Sequence, residues 1–195
     1  MKISDAQIPD IKIIDLDRYG DSRGFFMETY DTRSFSSIGI ETTFVLDACS
    51  RNQNAGTVRA LHFQIGAAAQ AKLARVTRGR VLDIMLDIRT GSPTFGEHVA
   101  IELHEDDARM VYIPVGFAHG FCTMAPDTEM AYKLSSHFTP DQARTVLWND
   151  PDLGIDWPVS PDKAILSDKD KIAPKLKDCD VFFRCDGKSN TGGHT

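Results

Sequence analysis

The sequence predicts an all-β sandwich or barrel. Short apolar runs recur along the chain with turn residues between them, the close spacing expected of many strands of roughly 4–8 residues. One run alternates strictly, with Val81, Asp83, Met85 and Asp87 pointing one way and Leu82, Ile84, Leu86 and Ile88 the other, which is the period of a strand. The chain carries neither an internal repeat nor a long helical pattern.

The elements read in order. "IKIIDL" is a first strand, closed by the turn material of "YGDSRG", and "FFMETY" is the next. "DTRSFSSIG" is helix-sized: Asp31 or Thr32 suits the N-cap, where a side-chain oxygen meets the free amides of the first turn, and Gly39 suits the stop. Strands follow over "TTFVLDACS", "TVRALHFQ", "KLARVTRGRVLDIMLDIR", "EHVAIELHE", "RMVYIPVG", "HGFCTMA", "TEMAYKLSS" and "RTVLWN", with "TRGR" and "RTGSPTFG" as turns. After Trp148 the chain becomes rich in Pro and Asp and reads as a packed irregular segment with a short helix. Residues 1–180 are expected to form a single domain, and the polar, glycine-containing residues 187–195 a disordered tail.

With 195 residues, the chain is long enough to bury roughly 70% of its unfolded surface and needs no disulfide or metal to fold. Its net charge of −6 argues against nucleic acid or an anionic membrane as the main partner, while leaving room for a local basic pocket. The start "MKISDAQIPD" lacks an apolar signal region, and no apolar run approaches the ~20 residues of a membrane span. Cys49, Cys122, Cys179 and Cys185 are scattered without a C-x-x-C pair, so a reduced cytoplasmic setting is the simplest reading; Cys179 and Cys185 could pair across a short loop, but two thiols are simpler.

The stretch "VRALHFQIGAAAQAKLARV" pushes Arg59, His62, Gln64, Lys72 and Arg75 into apolar strands. For any one of them a bland reading suffices, a satisfied core histidine or a lysine on a solvated face. The set resists it, because burying arginines and a lysine without partners is very costly. A cavity that binds an anion removes the difficulty, since these cations then meet phosphate or a developing oxyanion. Arg75 has no assigned task beyond pairing with an acidic neighbour.

"YIPVGFAHGF" (residues 112–121) contains P-x-G-x-x-H, ending at His119, and "VRALHFQ" contains His62. This pairing resembles the two motifs of the cupin superfamily, whose members are double-sheet jelly rolls. Metal-binding cupins carry H-x-H and a glutamate in the first motif. Here that motif reads H-x-Q, at His62 and Gln64, with no glutamate before Gly79. His62 and His119 alone make a poor transition-metal site, with Asp83 the one further candidate ligand, so neither metal nor other cofactor is expected.

Five blocks bring a closer resemblance: "GDSRGFFMETY"; "TVRALHFQ" with "QAKLARV"; "VLDIMLDIRTGSPTFGEHVAIEL"; "YIPVGFAHGF"; and "LWNDPDLGIDWP" with "LSDKDKIAP". In this order, over about residues 8–175, the chain resembles the dTDP-4-dehydrorhamnose 3,5-epimerases of dTDP-rhamnose and cell-surface carbohydrate biosynthesis. These are metal-independent cupin-type enzymes, and the resemblance implies a double-stranded β-helix with a few short helices. The family reaction inverts the two carbons flanking a 4-keto group. It needs a base, a group to stabilise the enolate oxygen, and an acid on the opposite face. The resemblance implies His62 as the base, oriented by Asp170 with Asp83 a weaker candidate, Lys72 at the enolate oxygen, and Tyr132 as the acid. It also implies substrate contacts at Arg23 and Glu28 from the other subunit of a homodimer, at Arg59 with the pyrophosphate, and at His119 and Phe121 along the sugar pocket.

Three departures lie near the substrate. Leu46 and Ala48 stand where the family commonly has Q-x-N, Ala60 replaces the glycine of R-G-L-H, and His137 takes a position often held by a base-stacking tyrosine. The methyl of Ala60 is expected to shift the backbone or narrow the site. The proton chemistry is retained while the nucleotide, the sugar or the number of inverted carbons is left open. The alternatives are epimerisation at one carbon or of another nucleotide sugar, and a cupin that binds a sugar nucleotide without turning it over. A metal-dependent oxygenase fits less well, lacking the second histidine and the glutamate.

Overall fold

The computed structural model describes residues 1–179 and 183–185; the tail expected at 187–195 lies outside the described residues. Two antiparallel sheets face each other. The first contains β1 (Lys2–Asp5), β2 (Lys12–Asp15), β5 (Leu46–Asn52), β7 (Lys72–Arg78), β11 (Arg109–Ile113) and β13 (Thr128–Leu134), in the order β1-β2-β11-β7-β13-β5. The second contains β6 (Val58–Gln64), β8 (Arg80–Asp87), β10 (His98–His104), β12 (Phe117–Thr123) and β14 (Ala143–Thr145), in the order β10-β8-β12-β6-β14. The all-β expectation holds, in the jelly-roll form. Strand β1 is an addition to it: four residues, three of them exposed, show no clear alternation, and only pairing with β2 defines the element.

A hairpin of β3 (Arg18–Asp21) and β4 (Gly24–Met27) stands apart from both sheets, and β9 (Arg89–Thr90) pairs in parallel with β15 (Phe183–Arg184). Helix α1 (Thr32–Ser37) starts at Asp31, whose carboxylate accepts from the Ser34 amide at 2.8 Å, and stops before Gly39 at φ +84°. Asp31 is thus the N-cap and Thr32 the first helical residue. Helix α2 (Asp168–Lys171) is one turn, capped by Ser167.

Burial follows the period-two pattern. Val81 and Met85 of β8 meet Ala74, Val76, Val111, Ile113 and Met130 in the core between the sheets. The alternate residues Ile84, Leu86 and Ile88 face outward and are covered by Trp148, Leu153, Leu176 and Phe183. Outside the other sheet, Phe35 of α1 packs on Leu73, Ile14 and Met110. The inward Asp87 is fully buried, and the turn motif explains why: Ser92 and Thr94 each donate a hydroxyl to it at 2.7 Å, and Arg89 donates through Nε at 3.0 Å and Nη2 at 2.8 Å.

Candidate functional site

The cavity side of β6 is set by a β-bulge. In its pairing with β12, Phe121 lies opposite Arg59 and His119 opposite His62, with the register shifting between. Ala60 and Leu61 together therefore oppose the single residue Gly120. Without the extra residue, side chains three positions apart would point to opposite faces of the strand. With it, Arg59 and His62 share the inner face, and Ala60 and Leu61 both join the outer core. The bulge rests directly on Gly120: a Cβ there would stand 2.5 Å from Ala60 Cβ and 2.8 Å from the Arg59 carbonyl oxygen. The methyl of Ala60 thus points away from the cavity, which corrects the expectation that it narrows the site.

His62 is joined to Asp170 through Nε2···Oδ1 at 2.7 Å. Asp170 is buried, with a 3% exposed side chain, while the His62 side chain is 31% exposed. The carboxylate comes from α2, where Ser167 caps the turn and Asp170 is its one buried residue. With Nε2–H directed at Asp170, the ring presents Nδ1 as a base. Burial pushes His62 below its usual value against the raising effect of Asp170, and Lys72 pushes it further the same way. The imidazole is therefore neutral at neutral pH. Asp170, despite its own burial, is held below the usual carboxylate range by its hydrogen bond from His62.

Lys72 enters from the opposite sheet, with Nζ donating to the His62 carbonyl oxygen at 3.0 Å. An ammonium has three donors, so it can also serve an anion in the cavity. Burial lowers Lys72 to about 8, while the charge of Asp83 works the other way. Asp83 is fully buried, pairs through Oδ1 with Nε2 of buried His119 at 2.7 Å, and among the described residues its Oδ2 has no hydrogen-bond partner. Tyr132 also faces inward from the opposite sheet. Its ring lies edge-on to His119 at 6.3 Å, and its hydroxyl pairs with Ser50 Oγ at 3.0 Å. Burial pushes the phenol well above its usual value, so it holds its proton at neutral pH.

The other expected residues divide. Arg59 is exposed, and its Nε donates to Asn52 Oδ1 at 2.7 Å. Phe121 is buried in the inner core beside Met85 and Met130, with Tyr132 packed against that cluster. His137 is exposed, and its carbonyl, not its ring, is used, accepting from Gln64 Nε2 at 3.0 Å. Gln64 also donates to the Ala68 carbonyl at 2.9 Å and accepts from the Thr139 amide at 2.7 Å. The glutamine of H-x-Q is therefore a loop clamp, and among the described residues no cluster of three or more His, Cys, Asp or Glu side chains could hold a metal ion. Arg23 and Glu28 are not brought to His62 within this chain. Both are exposed, and Arg23 is paired with Asp21 on the free hairpin at 2.6 Å. Arg75 faces the outside of its sheet beside Asp47 and Lys133, and among the described residues no acidic side chain forms an ion pair with it. Ser50 and Asn52 went unrecognised in the sequence, since a serine and an asparagine in "DACSRNQN" look like ordinary edge and turn residues.

A base with its carboxylate, a buried ammonium and a protonated phenol thus converge between two sheets of a cupin-type jelly roll. That combination defines a class of proton-transfer sites able to remove a proton beside a carbonyl and return one from the other side. Comparison with known proteins places the chain within this class. Residues 5–178 match the family model described as dTDP-4-dehydrorhamnose 3,5-epimerase. A Pseudomonas aeruginosa dTDP-4-dehydrorhamnose 3,5-epimerase is 42% identical over 93% of this chain and 99% of its own length. The Shigella flexneri enzyme of that name is 40% identical over 94% and 100%. A Legionella pneumophila dTDP-6-deoxy-D-glucose-3,5-epimerase, solved in complex with dTDP-4-keto-L-rhamnose, superposes with a TM-score of 0.87 at 40% identity, covering 92% of this chain and 94% of its own. A 3'-monoepimerase from Streptomyces bikiniensis, solved with dTDP-quinovose, gives a TM-score of 0.82 at 29% identity, covering 89% and 87%. This chain belongs to the dTDP-4-dehydrorhamnose 3,5-epimerase family.

Proposed function

We propose that this chain is an isomerase that inverts both carbons flanking the ketone of a dTDP-4-keto-6-deoxy sugar, converting dTDP-4-dehydro-6-deoxy-D-glucose to dTDP-4-dehydro-L-rhamnose. The observation that carries the reading is the His62–Asp170 pair, with His62 on one sheet, Tyr132 on the other and the Lys72 ammonium hydrogen-bonded to the His62 carbonyl oxygen. Neutral His62 takes the proton on the carbon beside the ketone, and the bond electrons move to the carbonyl oxygen. Lys72 stabilises the enolate, Tyr132 returns a proton to the opposite face, the phenolate is reprotonated from solvent, and the His62 imidazolium gives its proton up to solvent. Asp170 stabilises the imidazolium formed in between. A second cycle at the other carbon completes the inversion. Arg59 holds the pyrophosphate, with His119 and Phe121 along the sugar.

A homodimer is part of the proposal. The β3–β4 hairpin exposes Tyr19, Phe25 and Phe26 at 64%, 55% and 65%, and its Arg23, with Glu28 beyond it, is of use at a sugar nucleotide only if lent to a partner's cavity. The cytoplasm is the proposed compartment, where such substrates are made and the exposed Cys49 thiol stays reduced.

Proton NMR of dTDP-4-dehydro-6-deoxy-D-glucose in D2O with the protein tests the reading. Deuterium at both C3 and C5 is expected, with His62→Ala slowing exchange by roughly 10²–10⁴-fold. Exchange at one carbon only would favour the single-site alternative, which Leu46, Ala48 and the likeness to a 3'-monoepimerase keep in play. Wild-type exchange in His62→Ala would overturn the base assignment.

A further inference from the structure

We infer that the inner face of edge strand β5 carries two positioning residues, Ser50 for the Tyr132 phenol and Asn52 for the Arg59 guanidinium. The inference rests on the proposed epimerase reading for what the positioned groups do, but not for the contacts themselves. Along β5 the inward residues are Leu46, Ala48, Ser50 and Asn52, paired in register with Leu134, Tyr132, Met130 and Thr128 of β13. The first two are apolar. The last two each spend their polar group on a side chain that another strand projects into the cavity.

Asn52 is 3% exposed. Its Nδ2 donates to the Thr128 carbonyl at 3.3 Å, and its Oδ1 accepts from Arg59 Nε at 2.7 Å. A carbonyl only accepts and Arg Nε only donates, so the amide has one orientation and both ends are engaged. The bond joins the two sheets at the cavity mouth. It uses the inner edge of the guanidinium and leaves the terminal nitrogens to grip phosphate as a fork. Ser50 does the equivalent for the acid. A phenol has one proton; Ser50 Oγ lies 3.0 Å from it and either oxygen can donate, and with Ser50 donating the phenol proton is left free to be aimed at a carbanion. The same bond supports the phenolate left after transfer and partly opposes the upward push of burial on Tyr132. Because β5 has a sheet neighbour on one side only, these contacts also fix where the strand sits over the cavity.

The test compares Ser50→Ala with Ser50→Thr, and Asn52→Ala with Asn52→Asp, the second of each pair keeping the hydroxyl or the acceptor. The chain has 4 tyrosines, so ¹³Cζ-tyrosine NMR, assigned with Tyr132→Phe, reads the phenol directly, and the Arg59 Nε–H signal reads the guanidinium. Ser50→Ala should move the Tyr132 signal and lower kcat about tenfold, with a smaller change in KM and recovery in the threonine variant. Asn52→Ala should expose the Arg59 Nε–H to rapid exchange and weaken dTDP binding about tenfold by calorimetry, with recovery in the aspartate variant. If Asn52→Ala does not fold, Asn52→Ser, with its shorter side chain, replaces it. Unmoved signals, or wild-type kcat and dTDP affinity per folded molecule, would overturn the inference. Moved signals in a protein whose wild type exchanges no substrate proton would overturn the epimerase reading and leave the two contacts standing.

Discussion

Lys72 shows how much one residue's surroundings decide. On sequence alone it is a strand lysine whose ordinary place is a solvated face; in the fold it is buried, hydrogen-bonded to the backbone of the base, and lowered by desolvation to about 8. Its charge therefore survives at neutral pH but is lost just above it. His62 is lowered too, so it becomes a base below its ordinary value of 6.5. The kcat/KM profile should accordingly rise with pH through an acid limb below 6.5, as His62 loses its proton, and fall through an alkaline limb near 8, as Lys72 loses its charge. Asp83 is the charge that opposes the lowering of Lys72. Asp83→Asn, which can still accept from His119, should move the alkaline limb to lower pH, and a stationary limb in the measured profile would remove Asp83 from this role. Tyr132 was legible in the sequence only through family-like motifs, while His62 and Lys72 also stood out as polar groups in apolar strands. Burial, which tunes all three, was not.

At the scale of the element, the bulge in β6 does what a regular strand cannot. Period-two reading puts Arg59 and His62 on opposite faces, so the strand pattern alone could not have placed both in one cavity. The extra residue against Gly120 reverses the alternation between them. Gly120→Ala would force a Cβ against Ala60 and the Arg59 carbonyl, which should cost about 1–3 kcal/mol of stability, measured by urea unfolding. It should also lower kcat/KM per folded molecule by about tenfold or more, because His62 and Arg59, the proposed base and pyrophosphate contact, are both carried on the displaced segment. Stability lost with kcat/KM intact would mean that the bulge serves packing alone. Gln64 shows the opposite case, a motif position that in a metal-binding cupin would be a ligand and whose side chain here clamps two loops, bonding His137 and Thr139 on one and Ala68 on the other.

The whole molecule brings the His62–Asp170 pair together across 108 positions of sequence. The irregular segment after Trp148 lies over the outer core of the second sheet and delivers α2 to His62, so the part of the chain with the least regular pattern supplies the carboxylate that pairs with that imidazole. The exposed hairpin points to assembly at the same scale. Sedimentation should find a dimer for the wild-type chain. Replacing Tyr19 and Phe26 together with serine should shift it toward monomer and reduce turnover at equal protein concentration, because Arg23 and Glu28 are then withheld from the neighbouring cavity. A wild-type monomer with full activity would refute the shared site.

The all-β class, the inner and outer faces of β8, a helix start at Asp31 or Thr32 and the grouping of His62, Lys72, Tyr132 and Asp170 about one site were readable from the sequence. They rest on local periodicity, on capping chemistry, or on motif blocks that stand intact within the chain. The reversal of faces in β6, the pairings of Ser50 and Asn52, the caging of Asp87 by its turn and the separation of Arg23 from the cavity were settled only by the tertiary structure. Each depends on which strands become neighbours and on how closely their backbones approach, and neither quantity is encoded in the spacing of residues along one strand.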